Sequence, residues 1–115
     1  WADATILMRV AAKVDKNQSE MIKVLRDGGC SVFSLSGMGK GCPDLLVGIE
    51  SKDHGPTTYL VEVKDGSRYG KSRSIESMLT KDQKTFIAKW TGSPVVILKD
   101  IETAKAWVSR LKGEG

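Results

Sequence analysis

Soft metal ligands, long apolar runs and export signals are what this chain lacks. In 115 residues it holds two cysteines, Cys30 and Cys42, and one histidine, His54. Two cysteines cannot build a disulfide framework, and with a lone histidine they supply too few soft ligands for a four-coordinate zinc site. Both cysteines therefore read as small buried hydrophobes in a reduced compartment, and His54, among turn residues, reads as surface. No apolar run approaches the roughly 20 residues a membrane span needs, so no membrane partner is expected. No leader pattern is visible. An intracellular protein follows as the expectation, in a bacterial cytoplasm, a phage-infected cell or a nucleus. Internal repeats and low-complexity stretches are also missing. The length suits one core, hence a single domain over 1–115, with residues 1–16 as an N-terminal extension in which Met8 is a candidate start.

What is present is mildly basic. Eighteen Lys and Arg against fourteen Asp and Glu leave a formal charge of +4, which favours anionic partners, nucleic acid first among them. Residues 17–28, "NQSEMIKVLRDG", predict a helix: Asn17 or Ser19 caps its start, Gly28 and Gly29 stop it, and Met21, Ile22, Val24 and Leu25 share one side. "CSVFSL", 30–35, alternates as a strand does. "SGMGKGCP", 36–43, is a glycine-rich loop. "DLLVGI", 44–49, is a continuous apolar run, expected to be a strand covered on both faces. "ESKDHGPTT", 50–58, carries turn chemistry, and "YLVEVK", 59–64, follows as the second arm of an antiparallel hairpin. Residues 65–78 read as a flexible basic loop. "LTKDQKTFIAKW", 79–90, predicts a helix capped by Thr80. "SPVVIL", 93–98, is a strand. "DIETAKAWVSRLKG", 100–113, is a last helix, capped by Asp100. The order αβββαβα implies an α/β fold with a mixed sheet flanked by helices.

The informative stretch is "YLVEVKDG", 59–66. Residues two apart on a strand share a face, so Glu62 and Lys64 stand side by side while Val61 and Val63 point into a core. Asp44 follows Pro43 and opens the preceding strand, with seventeen residues between the two acids. If the strands pair, the Asp44 end of one meets the Lys64 end of the other. Two carboxylates that close repel unless a cation sits between them or one keeps its proton. A hard divalent ion, Mg²⁺ or Mn²⁺, suits such oxygen donors. Lys64 would then orient the attacking water or stabilise charge on a phosphate. A solvated strand face with a weak ion pair is the plainer reading of Glu62 and Lys64. Gln83, Phe86, Ile87 and Trp90 follow the i, i+3, i+4, i+7 spacing of a core stripe. A glutamine amide buried there needs a polar neighbour, and the acid cluster would provide one.

This pattern resembles the PD-(D/E)xK nuclease superfamily: Pro43–Asp44, then Glu62-Val63-Lys64. More narrowly the chain is similar to the VRR-NUC domain of small phage nucleases and of a eukaryotic DNA-repair nuclease. The stretches that carry the likeness are "NQSE", "GMGKGCPDLLVG", "YLVEVKDG" and "LTKDQKTFIAKW". The resemblance implies a restriction-endonuclease-like core and metal-dependent cleavage of DNA phosphodiesters. It implies metal ligation by Asp44, Glu62, the Val63 carbonyl and the helix residue Glu20, with Lys64 and Gln83 completing the catalytic set. Lys40 in the glycine loop, with Arg68, Lys71 and Arg73 in the basic loop, are candidate DNA contacts, and Tyr69 is a candidate stacking residue. The glycine loop Gly37–Gly41 is equally well a plain connection. The expected partners are DNA, branched or junction DNA included, and a second copy of the chain in a two-fold dimer. A DNA-binding module without catalysis is the alternative, and a hydrolase of small phosphate esters is a third reading.

Overall fold

A computed structural model describes residues 16–65, 74 and 76–114. The chain runs α1 (Lys16–Asp27), β1 (Ser31–Ser34), β2 (Leu45–Ser51), β3 (Gly55–Val63), a 3₁₀ turn (Glu76–Met78), α2 (Lys81–Lys89), β4 (Val96–Leu98) and α3 (Ile101–Lys112). Among the described residues four strands form one sheet in chain order. The first three pair antiparallel, and β4 joins β3 in parallel. The αβββαβα order and the mixed sheet flanked by helices are as expected, compatible with a restriction-endonuclease-like core.

One face of the sheet makes the core. Val32, Leu45, Val47, Ile49, Val61, Val63 and Leu98 alternate onto it and meet Met21 and Leu25 of α1 and Ala104, Trp107 and Val108 of α3. Met21, Leu25, Leu45 and Leu98 are almost wholly enclosed. Emptying any of them to alanine would cost about 2–5 kcal/mol through lost transfer energy and a cavity. Tyr59 meets Trp107 edge-on, with ring centroids 5.3 Å apart. The opposite face carries Phe33, Leu46 and Leu60 in register across β1, β2 and β3, then Glu62 paired with Ile97.

Several boundaries move. Helix α1 already includes Lys16, so neither Asn17 nor Ser19 caps it; the Asn17 amide instead donates to the Lys64 carbonyl at 2.9 Å. The predicted turn shrinks to residues 52–54, because Thr57 and Thr58 are β-branched and extend β3 back to Gly55, whose φ of 71° closes the turn. Strand β2 is covered fully on one face only: Leu46 and Gly48 are half-buried and Glu50 is exposed. Strand β4 begins at Val96, after Pro94, which has no N–H to give a ladder. Met78 is buried in the 3₁₀ turn, inside the segment expected to be loop.

Helix α2 also departs from expectation. None of its residues is buried: Gln83, Phe86 and Ile87 are half-covered, and Trp90 just beyond it is 44% exposed. The stripe leans on the second sheet face without sealing it. At the other end, α3 is capped as expected, with the Asp100 carboxylate accepting from Thr103 N at 2.7 Å and Gly113 left-handed at φ 75°.

Candidate active site

The register places Leu45 opposite Val61, so one step further Asp44 meets Glu62 and Pro43 meets Val63. Proline cannot donate a hydrogen bond, and the ladder stops there. Val63 N donates instead to Asp44 Oδ2, at 2.8 Å. A backbone amide thus fixes the Asp44 carboxylate, and the carboxylate reaches hydrogen-bonding contact with Glu62. The N–H and C=O of one strand residue point to the same side. The Val63 carbonyl therefore turns toward Asp44 as well, facing a proline that has no hydrogen to offer it.

Glu62 is 3% exposed. Lys64 Nζ stands 3.7 Å from its Oε2, and Gln83 Nε2 donates to the same oxygen at 3.2 Å. Lys64 Nζ in turn donates to Gln83 Oε1 at 2.9 Å. Gln83 is doubly tied: its Oε1 also accepts from Thr80 N at 2.8 Å, and its own N–H reaches Thr80 Oγ1 at 3.2 Å. This reciprocal cap makes the start of α2 the mount for the amide. The sequence argument that Gln83 needs a polar neighbour is met by both Glu62 and Lys64.

Burial pushes the Glu62 carboxyl up to about 8 from an ordinary 4.5, with the Asp44 charge and their shared hydrogen bond adding to the rise and Lys64 opposing it. One ammonium does not compensate two carboxylates at the end of a hairpin. Cys42 belongs to the same neighbourhood: burial first, then the charges of Asp44 and Glu62, raise its thiol. From sequence it reads only as a small hydrophobe, although it stands two residues before the strand acid. The half-buried thiol and the Asn17 tie to Lys64 are the contacts that sequence reasoning misses; chain adjacency to Asp44 is the only signal for the first.

The glycine loop closes against α2. A Cβ on Gly41 would collide with the Asp82 carbonyl and come within 2.7 Å of Gln83 N, at φ +78°. Lys40 beside it is exposed with φ 56°. Glu20 is exposed on α1, one helical turn beyond Asn17. Among the described residues no three of His, Cys, Asp and Glu form a group fit to hold a metal ion. The structure brings together Asp44, Glu62, Lys64 and Gln83. Arg68, Tyr69, Lys71 and Arg73 lie outside the described residues. His54 is exposed in the hairpin turn, and no described helix is long and apolar enough to cross a membrane.

Comparison with protein-family models, with curated proteins and with solved structures finds no significant match. The geometry of the site is what any functional reading has to stand on.

Proposed function

We propose that the chain is a Mg²⁺- or Mn²⁺-dependent endonuclease of the PD-(D/E)xK kind, similar to VRR-NUC domains, hydrolysing phosphodiester bonds in DNA. The observation that carries this is the Asp44 carboxylate, oriented by Val63 N and laid against buried Glu62 with Lys64 and Gln83 alongside. The donor set fits the ion: magnesium is commonly held by one or two carboxylates, its other positions filled by water and substrate phosphate. Asp44 and Glu62 would hold it, with the Val63 carbonyl as a further oxygen. When bound, it would supply Lewis acidity at the phosphoryl group and activate water. Glu20 on α1 would be a further carboxylate ligand.

The residues themselves do the positioning. Lys64 Nζ, held by Gln83 Oε1, presents a cation beside Glu62, where charge on a phosphate oxygen would grow. Gln83 bridges the Lys64–Glu62 ion pair, donating to Glu62 Oε2 and accepting from Lys64 Nζ. Basic Lys40, Lys81 and Lys84 are exposed around this edge and suit a polyanion backbone, which sets affinity without sequence choice. A two-fold dimer would give each strand of a duplex its own site.

The test is nicking of supercoiled plasmid by wild type and Asp44→Ala, with Mg²⁺ and with EDTA. Metal-dependent nicking lost in Asp44→Ala is expected. Equal cutting by both proteins, or binding of DNA with no cutting of linear, flapped or branched forms, would sink the reading; the latter outcome leaves a binding module. Light scattering with and without DNA gives the oligomeric state.

A further inference from the structure

The sheet face that bears Glu62 continues into a cavity. It has a volume of about 260 Å³ and is lined by Leu46, Thr58, Leu60, Trp90, Gly92 and Ser93. Leu60 lies two residues from Glu62 on the same face of β3, roughly 7 Å along the strand. Helix α2 sets this up, since Gln83 stands over Glu62 while Trp90 closes the far end of the same helix over Leu46 and Leu60. The indole is held in place on two sides. Phe86 stacks on it, with centroids 5.5 Å apart and planes 14° off parallel, and Gly92 passes so close that a Cβ there would come within 2.8 Å of Nε1.

We propose that this cavity receives one unpaired nucleobase adjoining the scissile phosphate. The substrate is then nucleic acid with an unstacked base at the cut. The inference rests on the phosphodiester reading of the Asp44–Glu62 site. Its occupant follows from three features. The floor is apolar and one wall is aromatic, as a heteroaromatic ring requires. Thr58 and Ser93 add hydroxyl-bearing residues to the wall, where a base edge has donors and acceptors. Leu60 on the cavity floor stands two residues before Glu62 on β3, and Lys84 and Lys89 are exposed on the helix that ends at Trp90, so a chain whose phosphate sits at Glu62 would carry its next base toward Trp90. A paired base inside a duplex cannot reach it without leaving the stack.

The experiment uses the full chain in EDTA and oligonucleotides carrying 2-aminopurine, either in a single-nucleotide gap or in intact duplex. Fluorescence titration gives both affinities, for wild type, Trp90→Ala, Trp90→Phe and Gly92→Ala. The gapped form should bind about 5- to 100-fold more tightly than the duplex, from the usual worth of one base–aromatic contact. Trp90→Ala should remove that preference and Trp90→Phe retain part of it. Gly92→Ala, which pushes the indole without deleting it, should weaken the preference. It also serves as an independent probe should Trp90→Ala lose its fold by circular dichroism. Equal affinity for gap and duplex, or an undiminished preference in Trp90→Ala, overturns the proposal. So does a dimer without nucleic acid that Trp90→Ala dissociates, which assigns the cavity to a second copy. Plasmid nicking run in parallel separates the two readings. Preference without nicking upholds the base pocket and sinks the nuclease, and nicking without preference does the reverse.

Discussion

Burial and the neighbouring Asp44 charge favour the protonated form of the Glu62 carboxyl. Its folded pKa, about 8, exceeds the ordinary 4.5, so the folded state binds the extra proton between those values. The stabilisation is fully present below about pH 4.5 and is lost as pH rises to about 8. Urea melts of the metal-free protein should show stability declining across that window, and Glu62→Gln should flatten the decline. Asp44→Asn is the sharper case. The oxygen of the new side-chain amide can still accept from Val63 N, while its nitrogen donates to Glu62 in place of a second charge. The metal-free variant should therefore melt above wild type and be unable to nick, a gain in stability at the expense of function. An unchanged or lower midpoint would show that the carboxylates do not repel. Asp44, Glu62, Lys64 and Gln83 were legible because strand alternation and helix spacing are short-range rules. Cys42 and Asn17 were not, because their contacts depend on where a loop and a helix end come to rest.

Among the elements, α2 and the glycine loop depend on each other. Gly41→Ala places a methyl against the Asp82 carbonyl in a left-handed backbone, so it should cost about 1–3 kcal/mol and displace Gln83 with the helix start. A melt within about 0.5 kcal/mol of wild type would show that the loop yields freely. The α3 cap gives a separate test. Asp100→Ala should cost about 0.5–2 kcal/mol. The hydrogen bonds from Thr103 hold the Asp100 carboxyl below its ordinary range, so this contribution is present at neutral pH and lost as pH falls through the lowered pKa. The difference between Asp100→Ala and wild type should therefore shrink in acid. Helices α1 and α3 and the hairpin were readable because their apolar periodicity faces a real core. The α2 stripe misled because the same i, i+3, i+4, i+7 spacing serves a helix that leans on a sheet and leaves a cavity beneath it.

For the molecule as a whole, ligand binding and stability are one quantity. A cation that binds only the folded state raises stability by RT ln(1 + [L]/Kd), about 2.7 kcal/mol at a hundredfold excess over Kd. Mg²⁺ or Mn²⁺ should thus raise the wild-type melting temperature reversibly with EDTA. Because binding at the proposed site would displace the Glu62 proton, the rise should grow from about pH 6 to about pH 8.5 and be absent in Asp44→Asn. A shift of equal size in that variant would mean the ion binds elsewhere. Among the described residues the layer order, two helices on one sheet face and one on the other, followed from the sequence of elements; strand lengths did not, since β3 grows backward into what reads as turn chemistry. The hairpin that results is polarised. Its open end holds the acids, and its turn at 52–54 lies roughly 25 Å away along the strands, with Asp53 and His54 exposed. A fluorophore or short peptide tag inserted between Asp53 and His54 should ride on the protein as a remote handle, reporting immobilisation or tumbling while the distant acid cluster stays undisturbed.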